Sequence, residues 1–234
     1  MNKARSQVKR SKQLKVSKSP ASIRCLVTGF DAFKGNPFNP SEIIAQSMPE
    51  KMHLARTKTT IPIQSLALPT AGRKAWVLMR SALKAISRSR QPSVIIMLGL
   101  ASKRKNICLE RFALNIQDAP IKDNAGHSYR GQTIDKQAPE ALRTNTSLEE
   151  IQKYLKNKSI NVEISNFGGT FVCNEIYFRT LQFFKKSRIP HSIIFIHLPL
   201  PSSHKKKSAQ LSSTRSIIMK IIEFNCLLLH KQKK

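Results

Sequence analysis

Residues 93–99, SVIIMLG, form an apolar run of strand length with no alternation. A strand with one face in water alternates apolar and polar side chains, whereas an unbroken run belongs in a sheet covered on both faces. HSIIFIH, at 191–197, reads as a further strand, as do SIRCLVTGF, RTKTTIPIQSLALP, ICLERFALNI and NVEIS. Between them lie helical segments. NPSEIIAQSM carries a Pro-Ser start at Pro40 and Ser41, and AGRKAWVLMRSALKAIS spaces Trp76, Met79, Leu83 and Ile86 along one helical face. SLEEIQKYLKN opens on Ser147 ahead of Glu150, the pattern of a capping box. Residues 170–186 and SSTRSIIMKIIEFNCLLLH complete the helices, and the polar stretch 117–137 reads as loops with a short hairpin. Strands alternating with helices predict a single three-layer α/β domain, its mostly parallel sheet carrying helices on both faces.

The chain has 234 residues, 40% of them hydrophobic, enough for one core of this kind. It carries 41 basic against 13 acidic side chains, a net charge of +28. Residues 1–20 hold seven cations and no acid, and read as a basic disordered tail ahead of a domain spanning 21–228, with a basic end at 229–234. No apolar block follows the tail and no apolar segment reaches the ~20 residues of a membrane span. The four cysteines are far apart and form no C-x-x-C pair, which speaks against a disulfide framework or a zinc site. A reducing, cytoplasmic setting with no metal or organic cofactor is the expectation. The charge first suggests nucleic acid. No helix-turn-helix, finger spacing or aromatic RNA-binding motif accompanies it. The preferred reading is a basic surface with weak nonspecific polyanion binding; a basic nucleic-acid-binding protein is the rival from another class.

Chemistry concentrates in SNFGGTFVCNEIYF, residues 165–178. Cys173 falls in the first turn of a helix after a Gly-Gly turn. A helix N-terminus lowers a thiol pKa and offers unpaired N–H groups to an oxyanion. Gly168 and Gly169 would clear space and free amides around the sulfur. His197 ends a strand, and Glu110 interrupts a largely apolar run. Each has a plain alternative: a core cysteine, a satisfied polar histidine, and an ion-pair partner of Arg111 or Arg104. Together they compose a Cys/His/acid set.

Four ordered motifs carry a sharper signal: VTGFDAFKGNPFNPS, GLASKRKNICLERFALNIQDAPIKDNAG, SNFGGTFVCN and FIHLP. Over about residues 23–200 the sequence resembles the pyroglutamyl peptidases of type I. The resemblance implies a cysteine exopeptidase acting on peptides with an N-terminal pyroglutamate. It implies Cys173 as nucleophile, His197 as base and Glu110 as the acid that orients it. It also implies Phe30, Phe33 and Asn39 at the substrate pocket, and assembly as a homotetramer. The plain alternative for the phenylalanines is core packing, and for Asn39 a turn. Departures from the family pattern are Ser102 and Lys103 in place of two glycines, Lys34 for a glycine, Phe167 for a small residue, and Pro120 for an arginine. They support a second reading, a catalytically weakened or inactive homologue of the same fold.

Overall fold

The computed structural model describes residues 23–33, 38–201 and 207–232. The expected tail at 1–20, Lys34 and the last two residues of the basic end lie outside the described residues. In chain order the first half comprises β1 (Arg24–Phe30), α1 (Pro40–Gln46), β2 (Lys51–Leu54), β3 (Thr59–Leu68), α2 (Gly72–Ser89), β4 (Ser93–Leu100) and β5 (Cys108–Glu110). The remainder is β6 (Phe112–Leu114), β7 (Ile116–Gln117), β8 (Gln132–Thr133), β9 (Ala141–Arg143), α3 (Leu148–Lys156), β10 (Glu163–Ser165), α4 (Val172–Phe184), β11 (His191–Leu198) and α5 (Lys207–Lys231).

Seven strands form one sheet in the order β10-β5-β11-β4-β1-β3-β2. β11, β4, β1 and β3 run parallel, and β4 and β11 are buried almost throughout, as their unbroken apolar runs require. Alternate residues of β4 serve opposite faces. Val94, Ile96 and Leu98 join the core that includes α1, α3 and α5, while Ile95 and Met97 join the one beneath α2 and α4. β2 is antiparallel to β3, and β5 is antiparallel to β11, so the sheet is parallel at its centre and reversed towards both edges.

Residues 107–116, expected as one strand, divide into β5, β6 and β7, which belong to three different sheets. The break comes from side chains that claim the backbone. Asn174, on α4, accepts from the Leu114 N–H and donates to the Leu114 and Ile116 carbonyls. The Asn115 amide bonds to the carbonyls of Asp135 and Ala138. β6 therefore pairs with β9, and β7 with β8 in a small ribbon within the polar stretch. The expected capping box of α3 does not form: Ser147 stands at the N-cap, but its hydroxyl makes no capping bond. α5 is longer than expected and buries Leu229, past the anticipated boundary at 228.

Candidate active site

The site lies where β4 and β11 end, the place an open α/β sheet offers to ligands. His197 on β11 is in register with Gly99 on β4. Across the antiparallel step Glu110 faces Phe195, so Glu110 and His197 are diagonal neighbours on one face of the sheet. His197 Nδ1 lies 2.7 Å from Glu110 Oε1, and the two residues are 4% and 1% exposed. Arg104 Nη2 sits 3.0 Å from the same oxygen, and also donates to Ser165 Oγ at 3.0 Å and the Phe167 carbonyl at 2.8 Å. Arg111, the other candidate partner, is drawn to Glu149 at 2.6 Å and to Asn166. The second oxygen, Glu110 Oε2, is buried with no hydrogen-bond partner among the described residues.

Cys173 is the second residue of α4 and the least buried of the four free cysteines. Its sulfur occupies the space above Gly99: a methyl group there would lie 2.9 Å from Sγ and 2.8 Å from the Phe195 ring. Desolvation, then the Glu110 charge, push the Cys173 thiol up to about 12, against the pull of its own backbone N–H. This corrects the sequence-based expectation of a lowered value. Burial outweighs the helix terminus in setting the direction of this shift. The glycines also divide their work differently from that expectation. Gly99 makes room for the sulfur. A Cβ on Gly168 would approach the Glu110 carboxyl carbon to 3.3 Å, and Gly169 holds a φ of +84°.

A cleft of about 390 Å³ contains Cys173 and His197 and is bordered by Phe171, Lys103, Arg104 and Phe167. Phe33 is partly exposed and meets Phe171 edge-on at 5.2 Å, whereas Phe30 is 2% exposed and packs in the core with Leu68 and Met97. Asn39 caps α1: its Oδ1 accepts from the Ser41 N–H and hydroxyl, and its amide donates to the Asp31 carbonyl at 2.9 Å. Sequence reasoning missed the residues that hold the segment before Phe33. Asp31 Oδ1 accepts from the Thr70 N–H at 2.6 Å, and the Asn124 amide donates to the Ala32 carbonyl at 2.8 Å. Asp123 accepts from the N–H groups of Gly72, Ala125 and His127. The available signal was the Asp-Asn-Ala-Gly run at 123–126, residue types that fold loops through their own side chains. Among the described residues no group of three or more His, Cys, Asp or Glu side chains could hold a metal ion, and no helix is long and apolar enough to cross a membrane.

A family profile described as pyroglutamyl peptidase matches residues 23–223. The chain belongs to the pyroglutamyl peptidase family. A pyrrolidone-carboxylate peptidase of Thermococcus litoralis is 34% identical over 176 residues, 75% of this chain and 76% of that protein. One from Bacillus cereus is 33% identical over 199 residues, 85% of this chain and 88% of that protein. Among solved structures, the Thermococcus litoralis pyrrolidone carboxyl peptidase superposes with a TM-score of 0.76 at 28% identity, covering 90% of this chain and 95% of its own. The pyroglutamyl peptidase I of Bacillus amyloliquefaciens superposes with a TM-score of 0.73 at 27% identity, covering 86% and 93%. Membership makes the chain a peptidase of this family, and the matched region contains Glu110, Cys173 and His197. Within this pyroglutamyl peptidase, Pro120 is exposed on its loop and Phe167 is 57% exposed at the mouth of the cleft.

Proposed function

We propose that this pyroglutamyl peptidase removes N-terminal pyroglutamate from peptides with a Cys173–His197–Glu110 triad, through an acyl-enzyme. The observation that carries the reading is His197 locked to a buried Glu110 at 2.7 Å while Gly99, its register partner, leaves room for the Cys173 sulfur. As a carboxylate, Glu110 accepts the Nδ1–H, which leaves the Nε2 lone pair free to take a proton. Cys173 gives its proton to Nε2 as sulfur attacks the pyroglutamyl carbonyl carbon. The N–H groups of the first turn of α4 receive the oxyanion. The peptide C–N bond then breaks as His197 protonates the leaving amine. Water, deprotonated by His197, attacks the thioester and releases pyroglutamate.

The lactam is flat and uncharged, so shape and apolar contact suffice to hold it. Phe33 supplies an aromatic wall with Phe171 at its edge, and Asn39 fixes the Asp31–Phe33 segment through its bond to the Asp31 carbonyl. The protein works in the cytoplasm as a homotetramer, without metal or cofactor. Hydrolysis of a fluorogenic pyroglutamyl amide tests the activity, and light scattering the assembly. Cys173→Ala should abolish turnover and melt within a few degrees of the parent; undiminished turnover would overturn the triad. A weakened enzyme is the second reading, favoured by Phe167 at the mouth of the cleft and by Pro120, which has no N–H to give. Pro120→Arg should then raise turnover, and an unchanged rate removes Pro120 from that argument.

A further inference from the structure

Phe167 is an exposed phenyl ring on a fixed backbone. Its N–H donates to Ser165 Oγ at 3.2 Å, and its carbonyl accepts from Ser165 Oγ at 3.2 Å and Arg104 Nη2 at 2.8 Å. The ring itself remains 57% exposed and belongs to neither core. A held backbone that presents an unpacked aromatic at the mouth of a cleft suits a binding surface better than a structural one.

Its place relative to the reacting atoms gives that surface a side. Gly168, the next residue, covers the Glu110 carboxylate, and Arg104 ties Phe167 to the same carboxylate. Phe167 therefore stands behind the His197–Glu110 pair, the pair that must protonate the departing amine. Phe33 and Phe171 meet at the start of α4, beside the sulfur that takes the acyl group. Among the described residues the cleft lining near Phe167 carries Lys103 and Arg104 and no acid.

We infer that Phe167 and Lys103 form a subsite for the first residue after pyroglutamate, one that favours an aromatic or large apolar side chain and disfavours a cationic one. The inference rests on the proposed peptidase reading and deepens it. A phenyl ring packed on Phe167 gains aromatic contact and buried area worth about tenfold in kcat/KM over alanine. A lysine side chain at that position meets Lys103 in partly screened solvent, which costs about fivefold.

The test measures pyroglutamate release from peptides pyroglutamyl-X-Gly-Gly amide with X as Phe, Ala, Lys and Asp. The expected order is Phe above Ala and Asp above Lys. Phe167→Ala should bring the Phe/Ala ratio close to one, and Lys103→Glu should invert the Asp/Lys ratio. Binding of the same peptides to Cys173→Ala, followed by calorimetry, reads the preference without turnover. Turnover of no peptide combined with Phe-over-Ala binding in Cys173→Ala would sink the catalytic reading and keep the subsite. Turnover of all peptides with ratios that Phe167→Ala leaves unchanged would sink the subsite and keep the peptidase. Should Phe167→Ala fold poorly, Phe167→Leu carries the aromatic comparison, with the Phe/Ala ratio expected to fall between wild type and unity; an unchanged ratio refutes the subsite.

Discussion

Gly99→Ala is the sharpest test of how the proposed nucleophile, Cys173, is seated. The added methyl would stand 2.9 Å from Cys173 Sγ and 2.8 Å and 2.9 Å from two atoms of the Phe195 ring. Carbon contacts are comfortable at about 3.5–4.0 Å, so relief requires shifts of about 0.6–1.1 Å. Phe195 is buried against Tyr177 and cannot yield freely, whereas Cys173 borders the open cleft. The sulfur therefore takes most of the displacement. Overpacking of this size costs about 1–3 kcal/mol of stability, and moving a reacting atom by about 1 Å costs about 10²-fold in rate. The expected outcome is a folded protein, melting several degrees lower, with kcat/KM on a pyroglutamyl amide reduced about 10²-fold at temperatures well below its melting point. Circular dichroism and the fluorogenic assay, run on the same samples, separate the two effects. Full activity in Gly99→Ala would refute the claim that this glycine sets the position of the sulfur.

If Glu110 orients the imidazole as proposed, Glu110→Gln should lower kcat by about 10²–10⁴-fold with the fold retained, since it removes the charge that would stabilise the imidazole cation; a change below tenfold would contradict that role. Alkylation of Cys173 by iodoacetamide in a His197→Ala background should keep rising with pH beyond 10, following a thiol pushed up to about 12, and a plateau near pH 7 would argue for a preformed thiolate. Burial lowers His191 from 6.5 to about 4; its Nε2 meets Ser187 and its Nδ1 has no partner among the described residues, while Arg188, Lys231 and Glu150 line the same groove. The folded state holds this histidine neutral while the unfolded state takes up a proton, so stability should be lost as pH falls from about 6.5 towards 4. Chemical denaturation across that range should show a flatter slope for His191→Gln. Asn39→Ala should cost about 1 kcal/mol through the lost cap of α1, read as a lower melting temperature.

The centre of the sheet was legible because β4 and β11 are buried on both faces and their sequences admit no other pattern. The places of Cys173 at a helix start and His197 near a strand end were legible as well, since a helix start after two glycines and a strand end are local features. ICLERFALNI was read as one strand because its residues all favour extended backbone. What divides it is Asn174, sixty residues from Leu114, and no local propensity reports that. The seat of the sulfur was missed for a similar reason: Gly99 looks like the end of an apolar run until α4 is laid over it. Ser147 has the residue type of a cap but not its bond. The direction of the thiol shift depended on burial, a property of the assembled fold that outweighed the helix-end effect visible in sequence.

The short β5–β10 pair at one side of the sheet bears on the order in which this molecule comes apart. β5 and β10 are three residues each, and among the described residues β10 pairs with the sheet through β5 alone. Short edge pairs of this kind open in partial, subglobal excursions at lower free energy than a four-stranded parallel centre. Such an opening carries Glu110 away from His197 while β1, β3, β4 and β11 stay zipped. Amide protons of Leu109 and Ile164 should then exchange earlier than those of Ile96 and Ile194, and, with Glu110 in the role proposed for it, peptidase activity should fade in rising urea before the helical signal does.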